Sequence, residues 1–363
     1  MTPPAMRRTY LDVMRGLAVL IMIEAHVIDS WTRVYERANP WFGRSLILGG
    51  FGAPLFLFLA GVAVSLSAGS KARRTGDERQ ASAAVQRRGL EIFLLAFLFR
   101  IQAFVISQSS ARALLKVDIL NIMGPAIVMS AWLWGALHSR RARIAGFAAA
   151  TAVIAFSTPV VRALSWLAGL PDFLEGYVRP VPGITNFSVF PWAGFVPAGA
   201  LVGVLIDEAI DRSDEARLNL GFGVAGIALT LVAYAASFLP SPYARSSFWT
   251  SSPSFFFLRL GLMVTAVSLA YLWEQRATVN RGWSPLQLLG RNSLFIYWIH
   301  VEMVYGVVSV PLHGAFTLTQ SWLALFAFYA FMVLLAAAKE RTVRWWKGRP
   351  ARSAEVAGAT LAQ

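Results

Sequence analysis

Apolar residues in this chain arrive in blocks of roughly 20, long enough to carry a helix across ~30 Å of hydrocarbon. The blocks fall at 10–30, 45–68, 87–107, 117–137, 143–166, 184–206, 218–239, 254–274, 286–309 and 320–338. Composition agrees with a membrane solvent: 56% of the 363 residues are hydrophobic and 14% are charged, where a soluble chain carries about a quarter charged. The mean hydropathy is +0.56. The expected fold is all-α, a polytopic membrane helical bundle of about ten transmembrane helices. It fills one domain over 1–347 and is followed by a disordered cytoplasmic tail over 348–363.

Basic residues set the topology. The chain has 33 Lys and Arg against 19 Asp and Glu, a net charge of +14. In a soluble protein that excess would suggest nucleic acid. Here cytoplasmic loops account for it, and no nucleic-acid partner is expected. Lys71, Arg73, Arg74, Arg79, Arg87 and Arg88 follow the second block, and Arg140, Arg141 and Arg143 follow the fourth. Lys339, Arg341 and Arg344 follow the last, so an even number of spans puts both termini in the cytoplasm. The acidic run DEAIDRSDEARLN after the sixth block falls on the same side. Cysteine is absent, which excludes disulfides and a thiolate nucleophile. The first apolar block lacks a small-residue cleavage site and is expected to be retained.

That first block carries the informative chemistry. In DVMRGLAVLIMIEAH, Arg15 and His26 lie eleven residues apart, close to three helical turns, and share one face. Asp12 is one turn before Arg15, and Asp29 is one turn after His26, where it could fix the imidazole tautomer. Glu24 points elsewhere. Ionisable residues inside a span usually mark a site or pathway, although Arg15 could snorkel to headgroups and His26 could bond a neighbouring helix. Arg100 and Arg259 also lie deep in apolar blocks and need partners, with Asp118 and Glu91 available.

The motif R-x-x-x-D-V-x-R-G-L-A-x-L-x-M-x-x-x-x-H, running from Arg8 to His26, resembles the opening of the transmembrane acyltransferase superfamily. Within it the chain is most similar to bacterial relatives of heparan-alpha-glucosaminide N-acetyltransferase. PLFLFLAGVAVSLS (Pro54–Ser67), VDILNIMG (Val117–Gly124), FPWAGFVPAGALVG (Phe190–Gly203) and LGRNSLFIYWIH (Leu289–His300) extend the resemblance in the expected order. It implies a helical bundle in the bacterial cytoplasmic (inner) membrane. Such a bundle takes acetyl-CoA, or another acyl-CoA, from the cytosol and acylates a hydroxyl or amine of a glycan or glycolipid on the far side. His26 matches the position held to be catalytic in the acyltransferase-three branch. The heparan branch places its histidine further along, and this sequence has none between His26 and His138.

On that reading the expected catalytic residues are His26 as base, with Asp29 beside it. Arg15, Arg87, Arg88 and Arg291 are expected to meet the CoA phosphates, Arg87 and Arg88 opening the third helix. Arg100, Arg259 and His300 are expected on the acceptor side, and Asn121, Asn186, Trp192 and Tyr297 are candidate oxyanion donors. His138 and His313 are expected to serve nothing catalytic. No metal is expected, since neither H-E-x-x-H nor a ligand cluster occurs. Membrane lipid is a partner by construction, and a homodimer is left open. The competing readings are a multi-pass transporter with a His/Arg pathway and a non-catalytic relative of the same fold. Gly-x-x-x-Gly spacing at Gly199 and Gly203 is expected to serve helix packing.

Overall fold

The computed structural model describes residues 8–107, 111–209, 211–277 and 284–360, with side chains up to Trp346. The expected tail over 348–363 lies outside the described side chains. The described chain is built of helices: α1 (Thr9–Trp31), α2 (Pro40–Gly49), α3 (Gly52–Thr75), α4 (Glu78–Ser107) and α5 (Ile119–Ala136). After these come α6 (Arg140–Ala163), α7 (Asp172–Val178), α8 (Val189–Trp192), α9 (Phe195–Asp207) and α10 (Arg212–Ala236). The chain finishes with α11 (Pro253–Ala277), α12 (Pro285–Arg291), α13 (Ser293–Tyr305) and α14 (Leu318–Thr360). Among the described residues 8 stretches are long and apolar enough to cross a membrane. The chain is a polytopic helical membrane protein.

Every apolar block falls on helix, but two of them fall outside those 8 spans. One is α1, which carries Asp12, Arg15, Glu24 and Asp29. The other is the expected ninth helix, which is broken at Asn292 into α12 and α13 and then tightens into a 3-10 turn over Val307–Leu312. The Asn292 side-chain amide donates back to the Leu288 carbonyl at 2.9 Å, competing with the helical ladder at the break. The third expected helix also starts earlier than its apolar block. Asp77 caps it, its carboxylate accepting from the Arg79 and Gln80 amides at 2.7 and 3.1 Å. Arg87 and Arg88 therefore lie more than two turns inside α4 rather than opening it.

The chain divides into two compact units: Met1–Met14 with Gly50–Arg281, and Arg15–Gly49 with Gly282–Gln363. In the first unit, helices approach through glycine. A Cβ at Gly199 of α9 would overlap the Phe58 carbonyl of α3, and one at Gly61 of α3 would overlap the Val196 carbonyl of α9. Gly89 and Gly124 face each other's carbonyls where α4 crosses α5, as do Gly226 and Gly261 where α10 crosses α11. With no hydrophobic drive between helices in lipid, such backbone contact supplies the association energy. Gly199 and Gly203 thus serve packing, as their spacing suggests.

Polar ties complete this unit. Arg73 pairs with Asp207 at 2.6 Å, Arg143 with Glu78 at 2.8 Å and Arg8 with Glu215 at 3.1 Å. Arg140 pairs with Glu208. The acidic run that starts at the end of α9 therefore neutralises bases in the last turn of α3 and at the start of α6, which the charge pattern places on the same side. Arg100 holds Asp118 at 2.6 Å, and Asp118 is also the N-cap of α5, in a capping box with Asn121.

In the second unit, Gly16 of α1 lies against the Leu286 carbonyl of α12. Tyr329 of α14 donates its hydroxyl to the Leu20 carbonyl of α1 at 2.8 Å, and Thr32 donates to Ser321 at 2.8 Å. Ile28, Phe42 and Leu318 form a buried cluster with Trp322 against it.

These contacts give two expectations for stability. Gly199→Ala forces two backbones apart and costs about 1–3 kcal/mol. Gly221→Ala, where a Cβ meets nothing within 4 Å, gains about 0.5–1 kcal/mol in its helix. Thermal unfolding in detergent separates the two. Asp118→Ala removes a cap and strands the Arg100 guanidinium, costing about 3–5 kcal/mol, and Arg100→Met in the same chain recovers most of that loss in the same assay.

Candidate active site

His26 lies near the end of α1, one turn before Ser30. His300 lies on α13, one turn before Val304. The two histidines meet: Nδ1 of His26 is 2.9 Å from Nε2 of His300, with ring planes 5° apart. One turn further along both helices, the Ser30 hydroxyl donates to the Val304 carbonyl at 3.1 Å. These are successive rungs between two parallel helices, each advanced by four residues. The second rung is fixed by helix-end chemistry. Val304 is in the last turn of α13, where carbonyls lack an intrahelical donor. It also accepts from Trp31 Nε1 at 3.3 Å and from His313 Nε2 at 3.0 Å.

The hydrogen-bond chain sets the tautomers. His300 Nδ1 is 2.9 Å from the Ile296 carbonyl, which can only accept, so Nδ1 carries the proton. Its Nε2 is then an acceptor, and His26 Nδ1 must donate to it. In the neutral imidazole of His26, Nε2 is then the nitrogen with the lone pair. His300 is 0% exposed, whereas His26 retains accessible surface and has the Tyr305 ring against it at 5.4 Å. The arrangement presents one imidazole in a defined tautomer, with its basic nitrogen turned away from the partner that orients it.

The expected orienting role of Asp29 does not hold in this geometry. Its carboxylate lies 3.4 Å from Arg37, whose guanidinium also donates to the Asp29 backbone carbonyl at 2.7 Å. Proximity in sequence pointed to Asp29, but the partner is 274 residues away. Tyr305 and the Ile296 carbonyl are the participants missed from sequence. The carbonyl was legible in principle, since a helical histidine can bond the residue four positions before it. Glu24 is 2% exposed, lies against Gly49 and bonds nothing through its carboxyl oxygens among the described residues.

The remaining candidates sort by what they touch. Arg88 makes an exposed pair with Glu91 at 2.9 Å, and Arg87 is exposed beside it. Arg291 is clasped by Glu340 at 3.2 Å, with Asn292 donating to Glu340 at 3.0 Å and accepting from Lys339 at 2.8 Å. Arg15 is half-buried in α1. Arg100 is committed to Asp118 at 2.6 Å. Arg259 sits among Phe255, Trp192 and Phe51, its guanidinium carbon 4.0, 5.6 and 5.8 Å from the ring centroids. Among the oxyanion candidates, Asn121 spends its amide on the Tyr177 hydroxyl at 3.2 Å. Burial pushes that phenol above its ordinary range, and the Asn121 contact pulls it back. His138 pairs with Glu78 at 3.2 Å, and His313 bonds Ser309 at 3.1 Å. No group of three or more His, Cys, Asp or Glu that could hold a metal occurs among the described residues.

No curated protein matches the chain. A family model described as heparan-alpha-glucosaminide N-acetyltransferase, catalytic, matches residues 7–234. That span covers most of the first unit and His26, and ends before Arg259 and His300. With more than half of its length matched, this membrane protein belongs to the heparan-alpha-glucosaminide N-acetyltransferase catalytic family.

Proposed function

We propose that this chain transfers an acetyl group from cytosolic acetyl-CoA to a hydroxyl or amine of an envelope or periplasmic carbohydrate, in a bacterial cytoplasmic membrane. The family supports acetyl transfer. The observation that carries the chemical part is the His26–His300 pair, with its proton order imposed by the Ile296 carbonyl.

In this reading His26 Nε2 takes the proton of the acceptor hydroxyl or neutral amine as the acceptor atom attacks the thioester carbonyl. A tetrahedral oxyanion forms. It collapses with cleavage of the carbon–sulfur bond, and the departing CoA thiolate takes the proton back from His26. The acetyl group ends on oxygen or nitrogen and CoA leaves as the thiol. No covalent enzyme intermediate is needed. His300 is a positioning residue: it holds His26 with Nδ1 protonated, so that Nε2 stays the base. Arg87 and Arg88, exposed and held by no more than a surface pair, are proposed for the CoA phosphates. Arg291 is proposed for structure, because Glu340 already holds it.

The test is release of CoA thiol by purified protein in proteoliposomes, with acetyl-CoA inside and a mixed sugar and amino-sugar pool outside. His26→Ala is expected to lower kcat by about 10²–10⁴-fold with acetyl-CoA binding unchanged. His300→Phe leaves the base but frees its tautomer, and is expected to cost kcat roughly 10²-fold with little change in KM. Equal turnover by His26→Ala and wild type would remove His26 from the mechanism. Movement of sugar without thiol release would favour a transporter.

A further inference from the structure

The deep arginines of the first unit differ in one respect. Arg143 has an aromatic face and an anion: Trp134 lies 3.7 Å from its guanidinium carbon, and Glu78 pairs with it at 2.8 Å. Arg100 has Asp118. Arg259 has the aromatic part alone. Phe255, itself 8% exposed, covers one face at 4.0 Å, with Trp192 and Phe51 further out. No carboxylate or carbonyl accepts from the guanidinium among the described residues, and its Nε is buried. The Phe190 carbonyl, two residues before Trp192, is already taken by two N–H groups of Arg162 at 3.0 and 3.2 Å.

Aromatic faces attract the charge of a guanidinium but cannot accept its in-plane hydrogen bonds. Those donors form a flat fork that matches a carboxylate or phosphate with two parallel bonds. An arginine kept in an apolar span without an internal acceptor is costly unless something else supplies one. Trp192, Phe51 and Arg259 itself retain some accessible surface, so the aromatic wall does not seal the guanidinium off. The rings also suit the apolar face of a sugar or the body of another organic anion.

We infer that Arg259, walled by Phe51, Trp192 and Phe255, is an anion-binding site for the phosphate or carboxylate of an organic molecule such as an acidic sugar. The site goes beyond the acetyl-transfer reading, because it assigns a charge to what the first unit takes up. It stands whether or not His26 turns over. A soluble sugar phosphate and a lipid headgroup offer the same phosphate chemistry, and the experiment separates them.

The protein is placed in nanodiscs of phosphatidylcholine, and binding of glucose 6-phosphate, glucuronate and glucose is measured by calorimetry without any acyl donor. Wild type is expected to bind the two charged sugars at least tenfold more tightly than glucose, and to unfold at higher temperature in their presence. Arg259→Gln is expected to lose the preference. Arg259→Lys, a point charge without the fork, is expected to keep part of it for phosphate and less for carboxylate. Thermal unfolding of each variant without ligand checks that it folds, and the ligand-induced stabilisation of wild type needs no variant at all. A second arm uses discs containing phosphatidylglycerol. Competition by that lipid, lost in Arg259→Gln, would assign the site to a headgroup phosphate. Equal affinity for glucose and its charged analogues, with no Arg259-dependent effect of anionic lipid, would overturn the inference. So would a preference for anions that survives in Arg259→Gln.

Discussion

A polar group in hydrocarbon keeps its place only if another group accepts its hydrogen bonds, and this constraint organises both units of the structure. Arg100 finds Asp118, Arg8 finds Glu215 and the Ile206 carbonyl, and His300 finds Ile296 and His26. Each partner comes from elsewhere in the chain or from a preceding turn. Satisfying a charge therefore also fixes how elements stand against each other. Asp118 shows the economy of the arrangement: one carboxylate ends the unpaired amides of α5 and anchors α4 through Arg100. The site obeys the same rule as the scaffold.

The two units meet the constraint differently. In the first, α3 with α9, α4 with α5 and α10 with α11 come together through glycines that admit a neighbouring carbonyl. Charges sit mainly at the helix ends, where water or headgroups help. In the second, side chains bond to backbone carbonyls across helices. Tyr329 on Leu20, and Ser30, Trp31 and His313 on Val304, are of this kind. Three donors on one carbonyl make the end of α13 a fixed point. His300 is one turn below that point, and its facing residue on α1 is one turn below Ser30. The precision of the histidine pair thus comes from satisfying an orphan carbonyl at a helix end.

The legible part of the sequence was whatever depends on composition along a short stretch. Apolar blocks marked the helices, and charged residues inside α1 marked it as special. Helix starts in polar sequence were harder: α4 begins at Asp77's cap, nine residues before its apolar block. Breaks at Asn292 and between α8 and α9 were also missed, because an apolar run looks the same on either side of a kink. In the site, His26 and His300 were both legible as residues, yet their pairing was not. Asp29 was the available neighbour in sequence, and Arg37 claims it in space. Contacts between residues 274 apart depend on helix register, which no local pattern encodes. Arg100 and Arg259 looked alike in sequence for the same reason. Asp118 beside the one and the rings of Phe51, Trp192 and Phe255 around the other separate them.

The choice of imidazole rather than carboxylate as the orienting partner has a chemical consequence. A carboxylate behind His26 would hold it through a charge, and that charge would have to be buried where His300 is 0% exposed. Imidazole controls the tautomer without bringing a net charge into the helix pair, because the Ile296 carbonyl dictates which nitrogen donates. The His300 nitrogen that faces His26 brings no formal negative charge to balance a lasting positive one. In the proposed reaction the proton need not stay there, since attack on a thioester generates a thiolate that can reclaim it in the same encounter. A neutral pair is suited to passing one proton from acceptor to leaving group, and less suited to storing it. Acyl transfer from a thioester makes that demand, and it needs no buried counter-charge to meet it.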